Sequence, residues 1–179
     1  MRALVRVVDR ISHVCGMLAA ALILVLVVLM LYDVVLRYAF NAPTSWGNDL
    51  NAFLMGGAFV LSIAYAMSTD AHVRVDLLYN EQTRPRLAYV DLIGLTLIVL
   101  PAVTVISWGL LGHLEDGIRT GERTGSGGWN PVVWPFRAVM LIGFVIFAVQ
   151  IVAEIIKRIA AIAGRPFDAP AVVAQDHGV

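Results

Sequence analysis

Charge is what this chain has least of. Only 15% of its 179 residues are Asp, Glu, Lys or Arg, where a soluble globular domain carries about 25%. Thirteen basic and thirteen acidic residues cancel to a formal net charge of zero, so there is no polybasic signature for nucleic acid. A single cysteine, Cys15, excludes an internal disulfide and any two-cysteine redox motif. Its apolar surroundings make it a small packing residue. No Ser-His-Asp spacing and no paired carboxylates point to hydrolysis. The stretch 121–128 (GERTGSGG) lacks the lysine of a phosphate-binding loop and reads as a flexible exterior loop. Of the histidines, only His13 and His72 could share a haem at one depth, and only at a membrane surface. The residues therefore point to no enzyme, no metal and no cofactor.

What is present is apolar sequence, 59% of the chain with a mean hydropathy of +0.80. Arg2, Arg6 and Arg10 recur every four residues among Leu4, Val7, Val8 and Ile11, a short basic amphipathic lead-in suited to a membrane surface. Val14 to Tyr32 follows without a charge; its 19 residues, at about 1.5 Å each, nearly cross a hydrocarbon core of about 30 Å. The run is longer than a signal-peptide core and continues to about Phe40, which favours an uncleaved helix. A second run, Leu50 to Ser68, carries Gly56, Gly57, Ala58, Ala64 and Ala66, residues that let helix backbones approach closely in lipid. A third, Leu87 to Leu111, holds Pro101 at its middle, where a lost backbone bond predicts a kink. A fourth runs from about Val132 to Ala153 and ends in Glu154, Lys157 and Arg158. The expected fold is an all-α integral membrane protein. Its four transmembrane helices lie at about 11–40, 48–69, 86–112 and 131–158, within one domain over 1–163. Residues 164–179 read as a disordered cytoplasmic tail.

Four spans put both termini on one side of the membrane. Nine basic residues share that side (Arg2, Arg6, Arg10, Arg74, Arg84, Arg86, Lys157, Arg158, Arg165) and four the other (Arg37, Arg119, Arg123, Arg137). The excess marks the terminal side as cytoplasmic. The turn from Asp33 to Asp49 and the 112–131 loop then face outward.

That turn, DVVLRYAFNAPTSWGND, joins the first two spans. Asp33 and Arg37 lie one turn apart on one helix face. Arg37 near a helix C-terminus and Asp49 near a helix N-terminus each suit the local dipole. An ionisable group inside a span costs about 2.5–3.5 kcal/mol on insertion scales. With one such cluster at one edge, and no string of acids across the bilayer, Asp33, Arg37 and Asp49 read as a structural clamp on the hinge. A proton or sodium relay is the alternative reading. Trp46, Trp129 and Trp134, with Arg137, read as anchors at the interface, where indoles prefer to sit. His72, Arg74 and Asp76 in HVRVD read as a solvated turn or a contact to another subunit.

Three stretches resemble a known family. The first is Arg37-Tyr-Ala-Phe-Asn41-Ala-Pro43-x-x-Trp46-x-x-Asp49-Leu50 in the hinge. The second is His72-Val-Arg-Val-Asp76. The third is Gly121-Glu-Arg…Trp129-Asn-Pro131-x-x-Trp134-Pro-x-Arg137, followed by Gln150. Their order and spacing resemble the small membrane (DctQ-like) subunit of TRAP transporters, the tripartite ATP-independent periplasmic transporters. Asp49-Leu50 stands where the family commonly has Glu-Leu, which keeps the charge. The resemblance implies a bacterial inner-membrane subunit that scaffolds a large transport (M) subunit and helps dock a periplasmic substrate-binding protein (P subunit) for organic acids. Glu115, Asp116, Arg119, Glu122 and Arg123 would offer the docking contacts. A stand-alone channel or exporter, or a homo-oligomer paired through Gly16 and Ala20, is the competing expectation.

Overall fold

Residues 2–69, 92–125 and 128–162 are described by a computed structural model of the chain. Helix α1 runs unbroken from Arg2 to Ala39, so the basic lead-in is continuous with the first span. Its inward positions are Val5, Val8, Ser12, Cys15, Ala19, Leu22, Leu26, Leu29, Asp33 and Leu36. They alternate in steps of three and four, the seam of coiled-coil-like packing. The helix stops where Asn41 turns left-handed (φ 52°) and the Ala42 amide donates back to the Leu36 carbonyl at 3.0 Å. Pro43 follows and bars any restart of the same helix.

Helix α2 (Gly47–Ser68) is the central element and packs on both α1 and α4 (Trp134–Ile162). α1 also touches α4, which closes a triangle of three helices. Helix α3 (Leu100–Thr120) is entered through a π-helical turn, Leu95–Val99; among the described residues its backbone approaches α4 alone. All four helices are long and apolar enough to cross a membrane, which bears out the expected fold class.

Glycines set the closest approaches. A Cβ on Gly16 would lie 2.5 Å from the Tyr65 ring and one on Gly56 2.7 Å from Phe136, while one on Gly143 would overlap Val60 Cγ1. Larger residues at these points would push α1 from α2 and α2 from α4, as the small-residue pattern predicts. A core of Ala64, Met67, Val103, Phe147 and Ile151 fills the space behind these crossings.

Two expectations need correction. α3 continues to Thr120 rather than ending near 112. Its last two turns are polar but still helical, and it stops only where Gly121 takes a left-handed φ of 62°, the usual glycine stop. The described residues beyond it, 121–125 and 128–133, pair as the two arms of a hairpin rather than lying loose. The Val133 amide donates to the Glu122 carbonyl (3.0 Å) and the Thr124 amide to the Pro131 carbonyl (3.1 Å). The Asn130 side chain accepts from the Gly125 amide (2.8 Å). At Pro101 the helix answers the missing N–H with the wider π turn just before it, where the Leu100 amide bonds to the Leu95 carbonyl.

Candidate functional site

The polar side chains gather at the two ends of the bundle. At the hinge end, Asp33 is buried on the α1 seam. One of its oxygens accepts from the Thr44 amide at 3.2 Å and from the Thr44 hydroxyl. The other accepts from the Arg37 guanidinium at 2.7 Å. One carboxylate thus ties the last turns of α1 to the chain leaving it. Gly47 makes the approach possible, because a Cβ there would sit 2.5 Å from Thr44 Oγ1 and 3.2 Å from Asp33 Oδ1. Asp49 is buried in the first turn of α2, where a negative charge meets the positive end of the helix dipole. Trp46 stacks on Tyr32 with ring centroids 6.3 Å apart, so it braces the hinge.

The α3–α4 connection is held by Arg137. Its guanidinium donates to the His113 carbonyl at 2.8 Å and pairs with Glu122 at 2.8 Å. It lies across Gly117, where a Cβ would meet Nη1 at 2.8 Å. Arg123 donates to the Asn130 carbonyl (3.0 Å), so Glu122 and Arg123 both have partners within the chain. Glu115, Asp116 and Arg119 remain exposed at the end of α3. Gly128 abuts Ser45, since a Cβ on the glycine would lie 3.0 Å from the serine Cβ, so the hinge and the hairpin form one continuous surface. Trp129 and Trp134 are each a little under half exposed along its edge. His72, Arg74 and Asp76 lie outside the described residues.

At the other end lies a network that sequence reasoning missed. Gln150, fully buried on α4, accepts from the Ser12 hydroxyl at 2.8 Å. It donates to Asp9 at 2.9 Å and to Glu154 at 3.3 Å. Lys157 bridges the same two acids at 2.7 and 2.8 Å. Two signals could have exposed it: Ser12 is a polar residue on a seam that is apolar for two turns on either side, and Gln150, Glu154 and Lys157 share one face of α4 at helical spacing. Among the described residues no group of three His, Cys, Asp or Glu side chains could hold a metal ion. His13 packs against Tyr65, ring centroids 5.5 Å apart.

Comparison with curated proteins and with solved structures gave no match. Residues 26–161 match the family described as "Tripartite ATP-independent periplasmic transporters, DctQ component". That stretch takes in the hinge, the α3–α4 connection and most of the four-helix frame. The chain belongs to the DctQ family, the small membrane subunits of TRAP transporters.

Proposed function

We propose that this subunit is a scaffold: it holds the large transport (M) subunit of the transporter in the bilayer and offers its outer face to the periplasmic substrate-binding (P) subunit. The observation that carries this reading is how the molecule divides its side chains. Polar groups at both ends fasten the chain's own helices to one another, while among the described residues broad faces of α1 and α3 are left uncovered. Trp108 supports it further. It sits near the middle of the third span, 80% exposed, where the indole N–H would find no acceptor among lipid tails. A neighbouring protein helix would supply one. The hinge and hairpin, joined through Ser45 and Gly128, form the candidate platform for the P subunit. The cargo class is organic acids, selected by that binding protein. The excess of Lys and Arg on the terminal side orients both termini to the cytoplasm of a bacterial inner membrane.

The homo-oligomer alternative loses its best feature, because Gly16 is already filled from within the chain by Tyr65. The deciding experiment is extraction of the chain from native membranes in mild detergent, with bound proteins identified by mass. One much larger multi-span protein at one-to-one stoichiometry is expected. Recovery of the chain alone, stable and monodisperse, would sink the scaffold reading.

A further inference from the structure

α1 is longer than one crossing requires. Its 38 residues reach about 57 Å at about 1.5 Å each, against roughly 40–45 Å for a bilayer with its headgroup zones. At its N-terminal turns Arg6 and Arg10 are exposed beside Leu4, Val7 and Ile11. A basic segment with an apolar face has two resting places. It can lie in the plane of the membrane interface, or it can stand upright as part of α1, which is what the structure shows.

Apolar contact alone does not choose between them. Val5 and Val8 are buried on the seam, but in a membrane, acyl chains satisfy such side chains about as well as protein does. The polar groups do choose. Ser12 and Asp9 reach Gln150 and Lys157 only while the lead-in stands against the end of α4. Lys157 is the keystone, since one ammonium holds both carboxylates. We propose that Asp9, Ser12, Gln150, Glu154 and Lys157 form a latch that keeps the lead-in upright, and that opening it lets the lead-in settle onto the membrane surface. Asp9 and Ser12 precede the stretch that matches the family, so family membership does not by itself imply the latch.

The test is a spin-label distance measurement on the full chain, in native-lipid vesicles together with whatever membrane partners it carries, in a Cys15→Ala background. Labels at Val7→Cys and Ile159→Cys, both exposed positions, report the latch. Labels at Phe59→Cys and Val145→Cys, also exposed, report the bundle. The unsubstituted latch should give one narrow distance for the first pair. Lys157→Met should broaden it and lengthen it by on the order of 10 Å, since ten residues of helix span about 15 Å. Lys157→Arg should restore the narrow distance, and the second pair should stay unchanged throughout. An unaltered first distance in Lys157→Met would show that the valine seam suffices. A simultaneous change in both pairs would make the network part of the folding core. Lys157→Arg behaving like Lys157→Met would remove the ion bridge from the explanation. Each of these three results overturns the latch.

Discussion

Asp33 shows how one side chain can fix a turn. Its contacts divide unequally. Arg37 keeps a side-chain exposure of 55%, and ion pairs to so exposed a cation contribute little. The Thr44 amide and hydroxyl are held in a fixed loop, and both depend on the same carboxylate oxygen. Asp33→Asn, which keeps a side-chain oxygen for Thr44, is therefore expected to lower the thermal midpoint in detergent only slightly. Asp33→Ala should lower it much further, and Arg37→Gln should resemble Asp33→Asn. Equal losses in all three would show that the ion pair, and not the Thr44 contacts, closes the hinge. The Asp33–Arg37 pair was legible in the sequence because i, i+4 spacing fixes it within one helix. Thr44 was not, because it depends on where the chain goes after Asn41 turns left-handed.

Among whole elements, charge-free runs located the spans and burial showed how they face. A charge-free run reveals that a helix crosses the membrane but not which way it faces. The strict three-four seam of α1 does reveal its face, and it places Ser12 and Asp33 on one stripe, 21 residues apart. At about 1.5 Å per residue that is about 30 Å, the thickness of a hydrocarbon core. Each end of the stripe is claimed by a polar partner from elsewhere in the chain, Gln150 at one and Thr44 at the other. What stayed hidden was partnership: Asp9 reads as one charge of a surface lead-in, and Glu154 and Lys157 read as the frayed end of a span, until α4 is laid beside α1. The end of α3 was misplaced for a similar reason, since polar residues after Gly112 imitate a loop while remaining helical. The helix crossings make a sharper prediction. Gly143→Leu must displace Val60, whose Cγ1 already occupies the place of the first added carbon. Overpacking of this kind costs about 1–3 kcal/mol, read as a loss of unfolding free energy in a detergent titration. The same change at Gly109, where a Cβ meets nothing within 4 Å, should leave the isolated subunit's stability unharmed. If Gly109→Leu instead matched Gly143→Leu, the α2–α4 crossing would not be the point of strain.

For the molecule as a whole, the proposed orientation ties its two ends to different tasks. The outer end would have to meet a soluble protein, and there three of its four arginines lie beside acids. Arg37 pairs with Asp33, Arg137 with Glu122, and Arg119 lies 4.0 Å from Asp116. In the sequence, nine of thirteen basic residues fall in the terminal segments and the segment between the second and third spans, which the proposed orientation keeps together, and basic residues resist translocation across the membrane. If the hinge faces the periplasm, a cysteine placed at Ser45, an exposed position, should react with a membrane-impermeant maleimide in intact spheroplasts. The background for this is Cys15→Ala. A cysteine placed at Val7, on the exposed face of α1 near its start, should react only after the membrane is permeabilised. The reverse pattern would invert the subunit and leave the joined hinge and hairpin facing the cytoplasm, out of reach of any periplasmic partner. Labelling of both sites in intact spheroplasts would contradict four crossings, since α1 alone separates the two positions. The expected pattern would place the latch and the platform on opposite sides of the membrane. Substitutions in the platform, such as Ser45→Trp, should then weaken binding-protein docking without moving the lead-in, and Lys157→Met should do the opposite.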